Sequence, residues 1–151
     1  MMMAGEAGVD KLKKMVQQFI KAEEEVIDLT EKTISKAENP TVRYLLQAIQ
    51  HDSRKHADLG RAALEILEYE TVVGTKERKE VMDLLKKHCD LEKRHRELVA
   101  EIKYATKTPA LQYIFEEIWG DEKKHHMILE TLMTKRFEKD PDVQWGFLLS
   151  S

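Results

Sequence analysis

The chain has 151 residues, a net charge of −3, an apolar share of 42% and one cysteine. This length fits a single domain with a sizeable core, the charge lacks the basic footprint of a nucleic-acid binder, and no apolar run nears the ~20 residues of a bilayer span. Cys89 alone builds neither an internal disulfide nor a four-cysteine metal site, and Met1-Met2-Met3-Ala4-Gly5 lacks the order of a signal peptide, so a reducing, cytoplasmic setting is expected.

In chain order, residues 1–9 read as a flexible N-terminus. A first helix is expected from Asp10, its N-cap, to Glu38, where Asn39-Pro40 breaks it; Pro40 suits the first turn of the next helix. The second runs from Thr41 to Tyr69 and ends in the β-branched stretch Thr71-Val72-Val73-Gly74-Thr75. The third runs from Lys76 to Ala105, before Thr108-Pro109, and the fourth from Pro109 to Glu138. Hairpins over 10–69 and 76–138 thus precede a tail, 139–151, that carries Trp145 and Phe147. The expected fold class is all-α, a four-helix bundle made of two similar hairpins.

Apolar spacing supports each helix and marks where polarity interrupts it. Helix 4 sets Leu111, Ile114, Ile118, Leu129 and Leu132 on one stripe, with Glu122 and His125 in the gap. On helix 2 the stripe is Val42, Leu45, Ile49, Ala63 and Leu67, interrupted by Ser53, His56 and Gly60. Helix 3 reads Leu85, His88, Glu92, His95, Val99 and Ile102. Helix 1 reads Val16, Phe19 or Ile20, Glu23, Val26 or Ile27, Thr30 and Ile34. At ~1.5 Å of rise per residue, Glu23 and Ser53 both lie roughly 20 Å from the Pro40 break, and Glu92 and Glu122 bracket Pro109 comparably. The interruptions are therefore expected to meet at one level of the bundle.

The hairpins also share a phrase. Pro40-x-x-x-Tyr44, Ile49, Asp52, Lys55 and His56 recur without a gap as Pro109-x-x-x-Tyr113, Ile118, Asp121, Lys124 and His125. In the second copy Glu122 stands three residues before His125, which puts both on one helix face; the first copy has Ser53 at that place. Carboxylate oxygen and imidazole nitrogen suit iron and manganese, and Asp52 and Asp121 are placed to orient the neighbouring histidines. A buried uncompensated ion costs several kcal/mol. Polar groups at mid-stripe must therefore bind metal, pair with one another, or line a wet cavity. His51 and His126 fall off the stripes and read as surface residues, while Cys89, Tyr44 and Tyr113 read as packing and His88 as a boundary histidine.

On these residues the chain resembles the ferritin-like superfamily, nearest its rubrerythrin-type and bacterioferritin-type di-iron bundles. The resemblance covers about residues 10–138. It implies one or two iron or manganese ions held by Glu23, His56, Glu92, Glu122 and His125, with Glu24 as an alternative to Glu23. Asp52 and Asp121 would then orient, and oxygen or peroxide would bind where Ser53 leaves a position open. Three departures stand out: Ser53 replaces the glutamate on helix 2, His95 adds an imidazole on helix 3 that can compensate, and no rubredoxin-like cysteine segment is present. The connection between helices 2 and 3 is a fourth, because residues 71–75 reach only ~17 Å where a ferritin-like crossover spans ~40 Å. A simple up-down-up-down bundle is the other topology.

The expected function is metal binding with oxidase or peroxide-reducing chemistry, in a homo-oligomer (a dimer first) served by a separate electron-transfer partner. The rival is a non-catalytic helical scaffold with a decayed site, docking a partner through its apolar tail. A hemerythrin-like site is disfavoured by the shortage of stripe histidines.

Overall fold

A computed structural model of the chain describes residues 4–68 and 75–134. Four α-helices account for them: α1 (Ala4–Lys36), α2 (Pro40–Glu68), α3 (Thr75–Ala105) and α4 (Pro109–Thr134). The all-α expectation holds, as do the two breaks at Pro40 and Pro109. Asp10 does not cap α1, which starts six residues earlier at Ala4; nothing in the sequence before Asp10 breaks a helix. The expected end of helix 4 at Glu138 and the tail with Trp145 and Phe147 lie outside the described residues.

The chain divides into two compact units, one built on α1 packed against α2 and the other on α3 packed against α4. In the first hairpin Asn39 is the N-cap of α2. Its Oδ1 accepts from the amides of Thr41 (2.9 Å) and Val42 (3.2 Å), with Pro40 at the first helical position, where no N–H is needed. The Ala37 amide closes α1 onto the Thr33 carbonyl at 3.1 Å.

The second hairpin repeats two backbone hydrogen bonds of this turn, although it lacks the Asn39 side-chain cap and has Thr106 Oγ1 accepting from the Thr108 amide instead. Residue n of the first corresponds to n + 69 of the second, as Pro40 does to Pro109. The pair Ala37 N to Thr33 O (3.1 Å) reappears as Thr106 N to Ile102 O (3.1 Å), and Arg43 N to Asn39 O (3.0 Å) as Gln112 N to Thr108 O (3.0 Å). The repeat therefore extends from the sequence into the backbone.

Each hairpin buries only a narrow seam. In the first, the buried residues are Thr30 and Ile34 of α1 and Gln50, Ser53, Ala57 and Gly60 of α2; in the second, they are Glu92 and Val99 of α3 and Leu129 of α4. Small residues permit close approach at Gly60, where an added Cβ would stand 2.7 Å from Ile20 Cγ1. Gln50 brings a polar clamp into the seam, donating from Nε2 to Glu31 Oε2 at 2.7 Å.

The stripes expected from sequence straddle two faces. On α1 Ile20 and Ile27 are half-buried and Val26 is exposed, while Phe19, itself exposed, reaches α2 beside Ile20 at Gly60; on α2 Val42, Leu45 and Ile49 are exposed. The apolar arc of each helix is wider than its hairpin partner covers, so a second stripe, displaced by one residue, lies outside the seam of its own hairpin. Tyr44 and Tyr113, expected to pack, are 71% and 61% exposed near the turns.

Two glycine substitutions should move stability in opposite directions. Gly60→Ala forces Ile20 aside near its backbone, and the overpacking outweighs the gain in helix propensity, for a net loss of about 1 kcal/mol. Gly120→Ala meets nothing within 4 Å and should gain roughly 0.5–1 kcal/mol from propensity alone. Urea denaturation of both variants checks the pair; equal shifts would contradict the close approach at Gly60.

Candidate metal centre

The α3–α4 seam carries carboxylates where a leucine pair would pack. Glu92 is 7% exposed, and its ligand oxygen, one from Glu122 and a ring nitrogen of His95 all lie within 4.8 Å of one another. Glu92 and His95 share one face of α3 through their i, i+3 spacing, and Glu122 reaches across from α4. Three ligands about 2.1 Å from a common cation stand ~3–3.6 Å apart, so closing the trio onto an ion takes at most roughly 1–2 Å of side-chain movement.

Glu92 Oε1 is held from two sides. His88 Nε2 lies 3.2 Å away and His125 Nδ1 3.8 Å away. The other oxygens, Glu92 Oε2 and Glu122 Oε2, are both buried without a hydrogen-bond donor. Two carboxylates in such contact cannot both ionise unless a proton or a cation lies between them. Contact with Glu92, then burial, pushes the Glu122 carboxyl above the usual carboxylate value of 4.5, against the opposing charges of His125 and His95. Glu92 is held below that value, first by its hydrogen bond with Glu122 and then, against its own burial, by His125 and His88. In the metal-free pair a proton is therefore favoured on Glu122 over Glu92.

The first hairpin keeps a reduced version of this arrangement. His56 Nδ1 stands 3.4 Å from Glu23 Oε1, repeating the His125–Glu92 pair with the same atoms. Ser53, buried, occupies the place of Glu122; Val26 stands where His95 does, and Phe19 where His88 does. Glu24, the alternative to Glu23, instead accepts from Arg61 Nη2 at 3.0 Å. Among the described residues, only Glu92, His95 and Glu122 gather three donors at metal-ligand separation.

The aspartates expected to orient histidines face lysines. Asp52 Oδ1 lies 2.8 Å from Lys55 Nζ and Asp121 Oδ1 3.7 Å from Lys124 Nζ, each at i, i+3. His126 is not a free surface group: its Nε2 lies 3.1 Å from Glu130 Oε1 and its Nδ1 is buried without a partner. Arg96, which the sequence did not single out, also buries its Nε unpaired; its place four residues after Glu92 is the only signal that could have drawn attention to it. Burial, then the charges of Glu130, Asp90 and Glu92, push the Cys89 thiol upward, and Cys89 is not among the three clustered donors.

Comparison with family models, with curated proteins and with solved structures finds no match.

The proton shared by Glu122 gives a signed prediction. A carboxyl raised in the folded state favours folding below its unfolded value, and that contribution is lost as pH rises through the folded value. Glu122→Gln keeps a hydrogen-bond donor for Glu92 and removes the ionisation. In chelator, its melting temperature should exceed that of the parent by a margin that widens as pH rises above 4.5. A margin independent of pH would contradict the shared proton.

Proposed function

We propose that the α3–α4 hairpin binds one divalent transition-metal ion, iron or manganese, through Glu92, His95 and Glu122, within a ferritin-like, rubrerythrin-like redox protein. The observation that carries this reading is the pair of buried, donorless oxygens, Glu92 Oε2 and Glu122 Oε2, beside an imidazole at ligand distance. Such a pair is costly unless a positive charge lies between its members. Two carboxylates and a nitrogen are a hard-to-borderline donor set that suits iron(II) or manganese(II). The ferritin-like part is supported by the two-hairpin architecture and by the recurrence of the Glu–His pair, Glu23–His56 and Glu92–His125.

When bound, such an ion supplies one-electron chemistry toward dioxygen or peroxide. The chain's own contributions follow from the geometry. His88 and His125 fix Glu92 by its Oε1 and leave Oε2 free to ligate. Glu122 surrenders its proton on binding and becomes the second anionic donor. His95, exposed on α3, leaves one side of the cluster open to solvent and to a small oxidant. An electron-transfer partner would return the reducing equivalents.

The rival scaffold reading has an observation of its own, the loss of a third donor at Ser53 in the first hairpin. Anaerobic loading with Fe(II) or Mn(II), followed by metal analysis of the washed protein, separates the two. About one ion per chain is expected in the parent, with a loss of at least tenfold in Glu122→Ala and His95→Ala. Uptake should release protons and tighten as pH rises through the elevated Glu122 value. Equal, negligible metal in all three proteins would leave only the scaffold.

A further inference from the structure

We infer that the ion held by Glu92, His95 and Glu122 binds together with a small monoanion, one atom of which meets the ion while another accepts from Arg96 Nε–H. This rests on the metal reading above and names the class of ligand that the loaded site takes.

Among the described residues, four buried side-chain atoms have no hydrogen-bond partner: Glu92 Oε2, Arg96 Nε, Glu122 Oε2 and His126 Nδ1. All four belong to one place. Glu92 and Arg96 are four residues apart on α3, as are Glu122 and His126 on α4, so each pair shares a helix face. The contacts of Lys103 with Glu116 and of Glu92 with His125 set the antiparallel register. That register puts Arg96 level with Glu122 and Glu92 level with His126. The four residues therefore fill two adjacent layers of the α3–α4 seam, between the buried Val99 and Leu129.

A metal ion answers only part of this. It satisfies the carboxylate oxygens, but a guanidinium N–H donates and never accepts, so a cation gives Arg96 nothing to bond. A buried donor left without an acceptor is costly. Charge argues the same way, because a divalent ion balances Glu92 and Glu122, and Arg96 then adds one positive charge to the seam. A monoanion removes that charge and supplies the acceptor. Helix geometry gives its place. His95 and Arg96 lie about 100° apart around α3, one to each side of Glu92. Equal offsets on antiparallel helices face the same side, which groups His88, His95 and His125 on one side of the seam and Arg96 with His126 on the other. His95 approaches the ion from the first side, so the coordination position across from it faces Arg96. The His126 ring, its Nε2 3.1 Å from Glu130 Oε1, flanks that position. Helices packed about 8–10 Å apart suit an anion of two or three heavy atoms, the size of formate, azide or hydroperoxide.

Azide is the probe and cobalt(II) the ion, because the visible bands of cobalt report a change of ligand without turnover. The full chain, loaded under argon and titrated at constant ionic strength, should hold cobalt and shift its spectrum as azide is added. Arg96→Met should keep the cobalt content and weaken azide binding at least roughly tenfold. Lys123→Met removes a charge one residue from Glu122, where it stands over the Trp119 ring, and should change neither. A cobalt spectrum indifferent to azide, parental azide affinity in Arg96→Met, or equal weakening in Lys123→Met overturns the inference while leaving the metal site in place. A parent that holds no cobalt overturns the metal reading and this one with it, and metal analysis separates that result from a loaded site that takes no anion. Should Arg96→Met lose its helical circular dichroism, Arg96→Lys takes its place. It keeps the charge and the aliphatic stem but has no Nε–H, and azide binding should weaken in the same direction.

Discussion

Two carboxylates pressed together in the seam between α3 and α4 constrain everything else around them. Holding the buried Glu92 beside the half-buried Glu122 is unfavourable unless a proton or a cation joins them, in a domain whose whole stability is of the order of ~5–15 kcal/mol. The surroundings answer that constraint with positive or neutral partners. His88 and His125 grip one oxygen of Glu92, His95 stands at ligand distance, and Glu122 retains its proton above the ordinary carboxylate range. The histidines are placed around the carboxylate pair, and the leucines and valines of the same helices take the levels above and below.

The repeat explains why one hairpin holds such a centre and the other does not. The same turn, the same Glu–His contact and the same Asp–Lys pairs occur in both. The difference lies in a few side chains at the same heights. With Ser53 in place of Glu122 and Val26 in place of His95, the first hairpin has no carboxylate pair to neutralise. It can approach closely at Gly60 instead, where the second hairpin has Leu129. One backbone plan thus serves as tight packing in one half and as a polar cluster in the other.

Much of this was legible in the sequence, and the failures have a common cause. Prolines 40 and 109 announced the turns because proline tolerates only the first turn of a helix, and Glu122 with His125 announced the polar interruption of α4. What periodicity could not resolve was phase. Phe19 against Ile20 and Val26 against Ile27 differ by one residue, about 100° around the helix, and both members of each pair are apolar because the helix carries two apolar stripes. The same ambiguity put Val42, Leu45 and Ile49 on the seam and His126 on the surface. His95 was visible as an extra imidazole, but its closeness to Glu122 depends on how α3 and α4 cross. The pairing of Asp52 and Asp121 with lysines reflects an i, i+3 contact that competes with the histidine four residues along.

The most direct test of the shared charge is carbon-13 NMR of the glutamate side-chain carboxyls across a pH titration, with Glu92→Gln and Glu122→Gln used to assign the two resonances. In the metal-free protein the Glu122 carboxyl should titrate above 4.5 and Glu92 below it, with each curve altered when the other residue is substituted. One equivalent of Zn(II), a diamagnetic probe, should abolish the elevated transition. Two independent titrations near 4.5, indifferent both to each other and to zinc, would mean that the carboxylates are solvated singly and that no charge is held between them.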